Sequence, residues 1–174
     1  MLRLTRYRRI MKKVCVILLL LVMLAACEHV NNTVVPKFRV HLDLRPVGNW
    51  NVYGVAGMGD WRYFNREKRL PANYPYTVNT YTGFGGVLLL RPIDAINPAP
   101  IAFDAACPVE SSVDAIVSID SQTLEAVCPR CKSRFNVFEW GGQATSGVAK
   151  TNNFGLRMLK VSGSDNEGYL IYNY

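Results

Sequence analysis

Histidine is scarce in this chain, with only two among 174 residues. His29 and His41 fall in a polar N-terminal stretch and in the first predicted strand. They do not supply a nucleophile–base pair or a histidine-based metal site. A phosphate-binding loop is also missing, because Gly83-Phe-Gly-Gly86 lacks a strand–loop–helix context and is better interpreted as a turn. The sequence therefore indicates no enzyme, and at most an electron-transfer component.

Acidic residues are missing from the first 26 positions, and the apolar run that follows the basic residues there is too short to cross a bilayer. The run from Val14 to Ala26 is shorter than the roughly 20 residues that a transmembrane helix needs. A basic start followed by a short apolar run is typical of a secretory signal peptide. The run ends in Leu24-Ala-Ala-Cys27, which resembles the bacterial lipobox and implies cleavage before Cys27 and lipidation of its thiol. We expect a signal peptide over 1–26, a lipidated tether over 27–36 and one domain over 37–174.

A large excess of positive charge is missing from the mature chain. The whole sequence has 20 Lys and Arg against 13 Asp and Glu, but six of the basic residues and none of the acidic ones precede Cys27. The mature part is therefore nearly neutral, which argues against a nucleic-acid partner. The expected location is the cell envelope, on the periplasmic face or the cell surface, with the membrane reached through the lipid anchor.

Sustained helical periodicity is missing throughout the predicted domain. Alternating or short apolar runs predict strands instead, as in Phe38–Leu44, Val87–Arg91 and Tyr169–Tyr174. The stretch from Pro46 to Pro75 is irregular, and we expect its aromatic residues to cover one end of the core. Many short strands with close turn signals predict an all-β fold, a small barrel or sandwich of antiparallel strands.

Cysteine is uncommon, but its spacing is the most informative pattern present. Of five cysteines, Cys15 leaves with the signal peptide and Cys27 carries the lipid, so Cys107, Cys128 and Cys131 remain. Cys128-Pro-Arg-Cys131 forms a Cys-x-x-Cys turn, and Cys107 also precedes a proline after a predicted strand. Two such loops at one tip of a β domain predict a metal site. Three sulfurs are one fewer than a complete site needs.

This arrangement resembles the Rieske iron–sulfur domain. The resemblance rests on Cys107-Pro-Val109, on Cys128-Pro-Arg-Cys131-Lys-Ser133-Arg-Phe135 and on the later Gly147, and it covers the whole predicted domain. It implies a small Rieske-like barrel or sandwich with a two-loop cysteine tip, a [2Fe–2S] cluster and electron transfer. Ser133 matches the family's hydroxyl next to the cluster.

The sequence departs from the Rieske pattern at the histidine ligands. Val109 stands where the first histidine of the family occurs, and Cys131 stands at the second. The family's glycine after the second histidine is Lys132, and a common proline of the third loop is Val148. The usual two-histidine, two-cysteine cluster therefore cannot form here.

Two metal interpretations follow from the three thiols. In the first, Cys107, Cys128 and Cys131 hold a modified [2Fe–2S] cluster, with Glu110 or Asp104 as a fourth ligand. In the second, the same thiolates and one oxygen donor bind zinc as a structural site.

Two interpretations need no metal. A disulfide between Cys107 and either Cys128 or Cys131 would join the loops, as export to an oxidising compartment favours. Alternatively, Cys131 is a reactive thiol, because Arg130, Lys132 and Arg134 are close in sequence and cations favour the thiolate. The sequence thus predicts an exported, lipid-anchored Rieske-like domain with a redox or envelope protein as its partner. The alternative is a disulfide-stapled envelope lipoprotein without a cofactor, with a binding or structural role.

Overall fold

The computed structural model describes residues 30–93, 99–139 and 141–174. The predicted signal peptide, Cys27 and His29 lie outside these residues. Within the described ranges, no helix has the length and apolar character to span a membrane. The expectations of a signal peptide and a lipid anchor therefore stay predictions.

The predicted all-β fold is confirmed, and its larger part is a barrel-like antiparallel sheet of seven strands. Its strands are β1 (Val40–Asp43), β2 (Trp61–Phe64), β3 (Tyr81–Thr82), β4 (Val87–Leu90), β5 (Ile101–Asp104), β10 (Met158–Ser164) and β11 (Gly168–Tyr172). Their order in the sheet is β2-β4-β5-β10-β11-β1-β3. A short helix, α1 (Val47–Tyr53), follows β1 and buries Trp50. Strands β10 and β11 of this sheet form a C-terminal hairpin, in which Val161 lies opposite Ile171.

A second antiparallel sheet carries the cysteine region. Its four strands follow one another in the order β6-β7-β8-β9. They are β6 (Ser118–Asp120), β7 (Glu125–Val127), β8 (Arg134–Asn136) and β9 (Gln143–Ser146), and a one-turn helix, α2 (Val148–Thr151), follows β9. The chain enters this sheet from β5 and returns from it to β10, so the small sheet is an insertion between neighbouring strands of the large one.

Strands β4 and β5 lie between two hydrophobic cores. Every residue of both strands is buried, which explains why Val87–Leu90 is continuously apolar rather than alternating. Leu88 and Phe103 belong to the core beneath the small sheet, together with Cys107 and Cys128. Leu89 and Ala102 belong to the other core, together with Trp50. The cysteine region is therefore packed on the same two strands that support the rest of the domain.

The segment before β1 differs from a simple tether. Asn31 pairs with Phe154 in a parallel bridge, and Val35 is almost completely buried. The sequence of this segment is polar and without periodicity, but backbone hydrogen bonds do not depend on either property. Residues 31–35, which we call the N-terminal segment, are thus attached to the domain.

Candidate metal centre

The first cysteine loop, residues 105–117, connects β5 with β6. The Cys107 N–H donates to the Ala115 carbonyl at 2.9 Å, and the Ser111 N–H donates back to the Cys107 carbonyl at 2.9 Å. Ser111 closes this turn with a positive φ of 44°. These bonds fix the backbone on both sides of Cys107, whose side chain is fully buried.

The second cysteine loop, residues 128–133, connects β7 with β8 and repeats the same form. The Lys132 N–H donates to the Cys128 carbonyl at 3.1 Å, and the Cys128 N–H donates to the Ser133 carbonyl at 3.0 Å. Lys132 occupies the position equivalent to Ser111 and has a φ of 60°. The left-handed conformation is the one that glycine adopts without steric cost. This explains why a glycine would suit the position that Lys132 fills.

The two loops bring the three predicted sulfur ligands together. The Sγ atoms of Cys107, Cys128 and Cys131 all lie within 4.8 Å of one another. Those of Cys107 and Cys131 are 3.6 Å apart. All three residues carry free thiols, and only Cys131 is partly exposed. The three sulfurs are therefore close enough to hold one metal ion.

Ser133 links the sulfurs to the helix that follows β9. Its Oγ accepts a hydrogen bond from the Ala149 N–H at 3.1 Å and lies 3.3 Å from the Sγ of Cys131. The Cys131 thiol donates to this oxygen, and when Cys131 is a thiolate the hydroxyl of Ser133 can donate its own proton to the sulfur instead. Gly147 permits this approach, since a Cβ built there would lie 2.8 Å from the Cα of Ser133.

The surroundings of Cys107 and Cys131 shift the pKa values of these two thiols in opposite directions. Burial raises the pKa of Cys107 to about 12, against an opposing effect of the backbone N–H groups of Glu110 and Val109. Burial also acts to raise the pKa of Cys131, but the hydroxyl and N–H of Ser133 and the two neighbouring thiols outweigh it, and the pKa is lowered. Cys131 is thus the thiol that more readily becomes a thiolate, the form that binds metals.

The predicted oxygen ligands do not join this sulfur group. Among the described residues, the group within 4.8 Å contains the three cysteines and no carboxylate, so Glu110 as a fourth ligand stays a prediction. The Asp104 carboxylate accepts hydrogen bonds from the N–H groups of Phe84, Gly85 and Ala106 at 2.9–3.0 Å. Burial raises the pKa of Asp104, and these three N–H groups oppose that effect. Asp104 therefore holds the turn before β4 against the start of the first cysteine loop.

Of the cations predicted around Cys131, Arg134 is engaged elsewhere. Its guanidinium binds Glu125 at 2.9 Å and Asp120 at 3.1 Å. It thus contributes to the small sheet rather than to a cationic environment for Cys131. Arg130 and Lys132 are exposed beside the second cysteine loop.

Sequence reasoning found the three cysteines and Ser133 but missed the contribution of Ala149. Ala149 contributes through its backbone N–H, so the identity of its side chain carried no indication of this contact.

Comparison of the chain with protein-family models, curated proteins and solved structures found no match.

Proposed function

We propose that this protein is an exported, lipid-anchored domain with a Rieske-like scaffold whose three cysteines bind one metal ion. The observation that carries the proposal is the approach of the Sγ atoms of Cys107, Cys128 and Cys131 to within 4.8 Å of one another. They come from two loops of the same form, each held by hydrogen bonds to the backbone of its first cysteine. In this function the metal joins the two loops.

The distance between two of the sulfurs matches a single ion of tetrahedral geometry. Zinc binds thiolate sulfur at about 2.3 Å, so two sulfurs at corners of a tetrahedron around it are about 3.8 Å apart. The distance of 3.6 Å between the Sγ atoms of Cys107 and Cys131 is close to that value. Three thiolates select soft or borderline metals such as zinc. Glu110 or a water molecule would complete the coordination.

A [2Fe–2S] cluster, which the Rieske resemblance implies, fits these residues less well. Its ligands are divided between two irons, and sulfurs on different irons are farther apart than sulfurs on one iron. The family's second histidine position is Cys131, and its sulfur lies against that of Cys107 rather than away from it. One-electron transfer through such a cluster stays a prediction.

The second candidate function is that of a disulfide-stapled lipoprotein without a cofactor. The same distance of 3.6 Å favours it, because a small movement of the two side chains would allow Cys107 and Cys131 to bond. Export to an oxidising compartment supports this pairing. Cys128 would then remain as a thiol.

The experiment is a joint measurement of metal, visible absorption and free thiols on the mature protein, purified with and without oxygen. We expect one zinc ion per chain, no visible absorption bands, and loss of the metal in Cys107→Ser, Cys128→Ser and Cys131→Ser. Ser118→Ala, an exposed residue of β6, is the matched control and should retain the metal.

Other outcomes identify the alternatives. Two irons per chain with charge-transfer bands would replace the single ion by a [2Fe–2S] cluster and support electron transfer. Absence of metal in both preparations, with one free thiol in the oxidised protein, would contradict metal binding and support the disulfide. Glu110→Gln tests the fourth ligand separately, and unchanged zinc affinity would exclude that carboxylate.

A further inference from the structure

The N-terminal segment is attached beside α2, the helix that contacts the second cysteine loop through Ala149 and Ser133. The Asn31 N–H donates to the Asn153 carbonyl at 2.7 Å, and the Gly155 N–H donates to the Asn31 carbonyl at 2.9 Å. Asn153 lies two residues beyond the end of α2, and the Phe154 N–H donates to the Ala149 carbonyl at 2.8 Å. Ala149 is the residue whose own N–H binds Ser133 beside Cys131. A short path of hydrogen bonds therefore leads from Asn31 to the cysteine site.

Arg157 fixes the rest of this segment. Its guanidinium donates to the Thr33 carbonyl at 2.9 Å and, through Nε, to the Val35 carbonyl at 3.0 Å. The side chain of Val35 is almost completely buried. Hydrogen bonds at both ends of the segment, together with a buried side chain, hold it in one position against the domain.

The distance between the expected lipid and the domain is consequently short. Cys27 precedes Asn31 by four residues, and four extended residues reach at most about 14 Å. Val30, next to Asn31, lines a cavity of about 410 Å³ that Lys150 and Asn153 also line. The surface around α2 is therefore the part of the domain that a lipid on Cys27 would hold nearest to the bilayer, and the second cysteine loop adjoins it through the Ser133–Ala149 hydrogen bond.

This surface carries exposed basic residues. Lys150 lies in α2, and Arg130 and Lys132 lie in the second cysteine loop, which contacts α2 through Ser133 and Ala149. Residues 128–133 and 148–151 contain these three basic residues and no acidic one, whereas the first cysteine loop contains Glu110 and Asp114. The positive charge of α2 and the second cysteine loop contrasts with the near neutrality of the mature chain. Basic residues at a membrane surface are attracted by anionic headgroups.

We propose that the protein docks its thiol end on an anionic bilayer surface, with Arg130, Lys132 and Lys150 facing the lipid headgroups. This inference rests on lipidation of Cys27, which belongs to the proposed function, and adds the orientation of the domain and the lipid class that it contacts. The metal site then lies at the membrane surface. A partner that exchanges metal or electrons with it would have to be a membrane protein or a protein bound to the same surface.

The test is amide hydrogen exchange on the mature, acylated protein in vesicles of phosphatidylcholine, with and without phosphatidylglycerol. We expect slower exchange at residues 130–133 and 147–153 in the vesicles that contain phosphatidylglycerol. The triple variant R130Q/K132Q/K150Q should lose this protection, since each basic residue near an anionic surface strengthens the attraction about fivefold.

The matched control is R39Q/R62Q/K160Q, which removes three exposed basic residues next to or within the large sheet. It should retain the protection. Equal exchange in both kinds of vesicle, or protection that persists in the first triple variant, would overturn the docking proposal. Mass spectrometry of the same samples reports the acyl chains on Cys27, and metal analysis reports the thiol site. A failure of either part of the proposed function is thereby distinguished from a failure of the docking.

Discussion

Lys132 shows at the scale of one residue how the second cysteine loop departs from an ideal turn. Its φ of 60° places a side chain in the left-handed region, where residues other than glycine are strained by about 1 kcal/mol or more. The Nζ of Lys132 donates to the Pro129 carbonyl at 2.6 Å. Because this hydrogen bond is exposed to water, it stabilises the loop less than a buried hydrogen bond would.

We therefore expect Lys132→Gly to increase the free energy of unfolding, by up to about 1 kcal/mol, because relief of the strained φ exceeds the added flexibility of the unfolded chain. Urea denaturation of the metal-free protein measures the change. Lys132→Ala is the matched control, because it removes the charge and the Nζ hydrogen bond but retains the strain. An alanine variant as stable as the glycine variant would show that backbone strain at this position has no measurable cost.

Residues also show what the sequence could predict of the site. The three cysteines and Ser133 were predictable because their side chains carry the chemistry and Cys-x-x-Cys restricts the distance between two of them. The function of Asp104 in binding three backbone N–H groups was not predictable, because a carboxylate near a cysteine equally fits a metal ligand. An aspartate can bind a metal ion or accept hydrogen bonds from backbone N–H groups, and only its neighbours in the fold show which of the two it does.

At the scale of elements, one polar network joins the four strands of the small sheet. Arg134 of β8 binds Asp120 of β6 and Glu125 of β7. The other oxygen of Glu125 accepts a hydrogen bond from Thr145 of β9 at 2.5 Å. These side chains are only partly exposed, so water screens the network less than it screens an isolated surface pair. The network supports the sheet from which the second cysteine loop extends.

Arg134→Gln should lower the free energy of unfolding, because it leaves two neighbouring carboxylates without their shared cation. We expect faster amide exchange in β6–β9 than in the large sheet. Thermal denaturation and hydrogen exchange measure these effects, with Arg130→Gln as the control that removes an exposed cation from the same sheet's loop. Equal effects of the two substitutions would show that the network adds nothing beyond ordinary surface charge.

Prediction of the elements from sequence succeeded where one face of a strand is buried or the strand is continuously apolar, as in β1 and β4. It missed β9, which has no fully buried residue, and it assigned no helix to α2, which is too short for a helical period. The residues Tyr76–Thr82 also alternate in polarity, but only Tyr81–Thr82 forms a strand. Tyr76 packs beside Tyr74 in a cluster of rings instead of pairing along a sheet.

At the scale of the whole molecule, several carboxylates make stability depend on acid. The Arg91 guanidinium, by its hydrogen bond, lowers the pKa of Asp165, and the hydrogen bond from Arg45 lowers that of Asp43. The pKa of Glu125 is lowered chiefly by its hydrogen bond with Thr145. Groups whose pKa is lower in the folded protein bind fewer protons there than in the unfolded chain. Their stabilising contribution is present above the ordinary pKa of a carboxyl group and is lost as the pH falls through the folded values.

We therefore expect the free energy of unfolding to be nearly constant from pH 7 to about pH 5 and to fall below about pH 4. Urea denaturation of the metal-free protein at several pH values measures this dependence. Asp165→Asn should reduce the loss on acidification, since the group no longer titrates. Asp104 acts in the opposite direction, because its pKa is raised by burial. A rise in stability on acidification would mean that Asp104 outweighs the other three groups.

The position of β4 and β5 between the two cores has a consequence for cooperativity. Because the same strands carry Leu88 toward one core and Leu89 toward the other, displacement of these strands disrupts both cores at once. The molecule should therefore melt in a single calorimetric transition rather than in two. A metal ion at the cysteines would therefore raise the melting temperature of the entire domain, although it binds at one end. Binding to the native state stabilises every part of the protein that unfolds in the same transition.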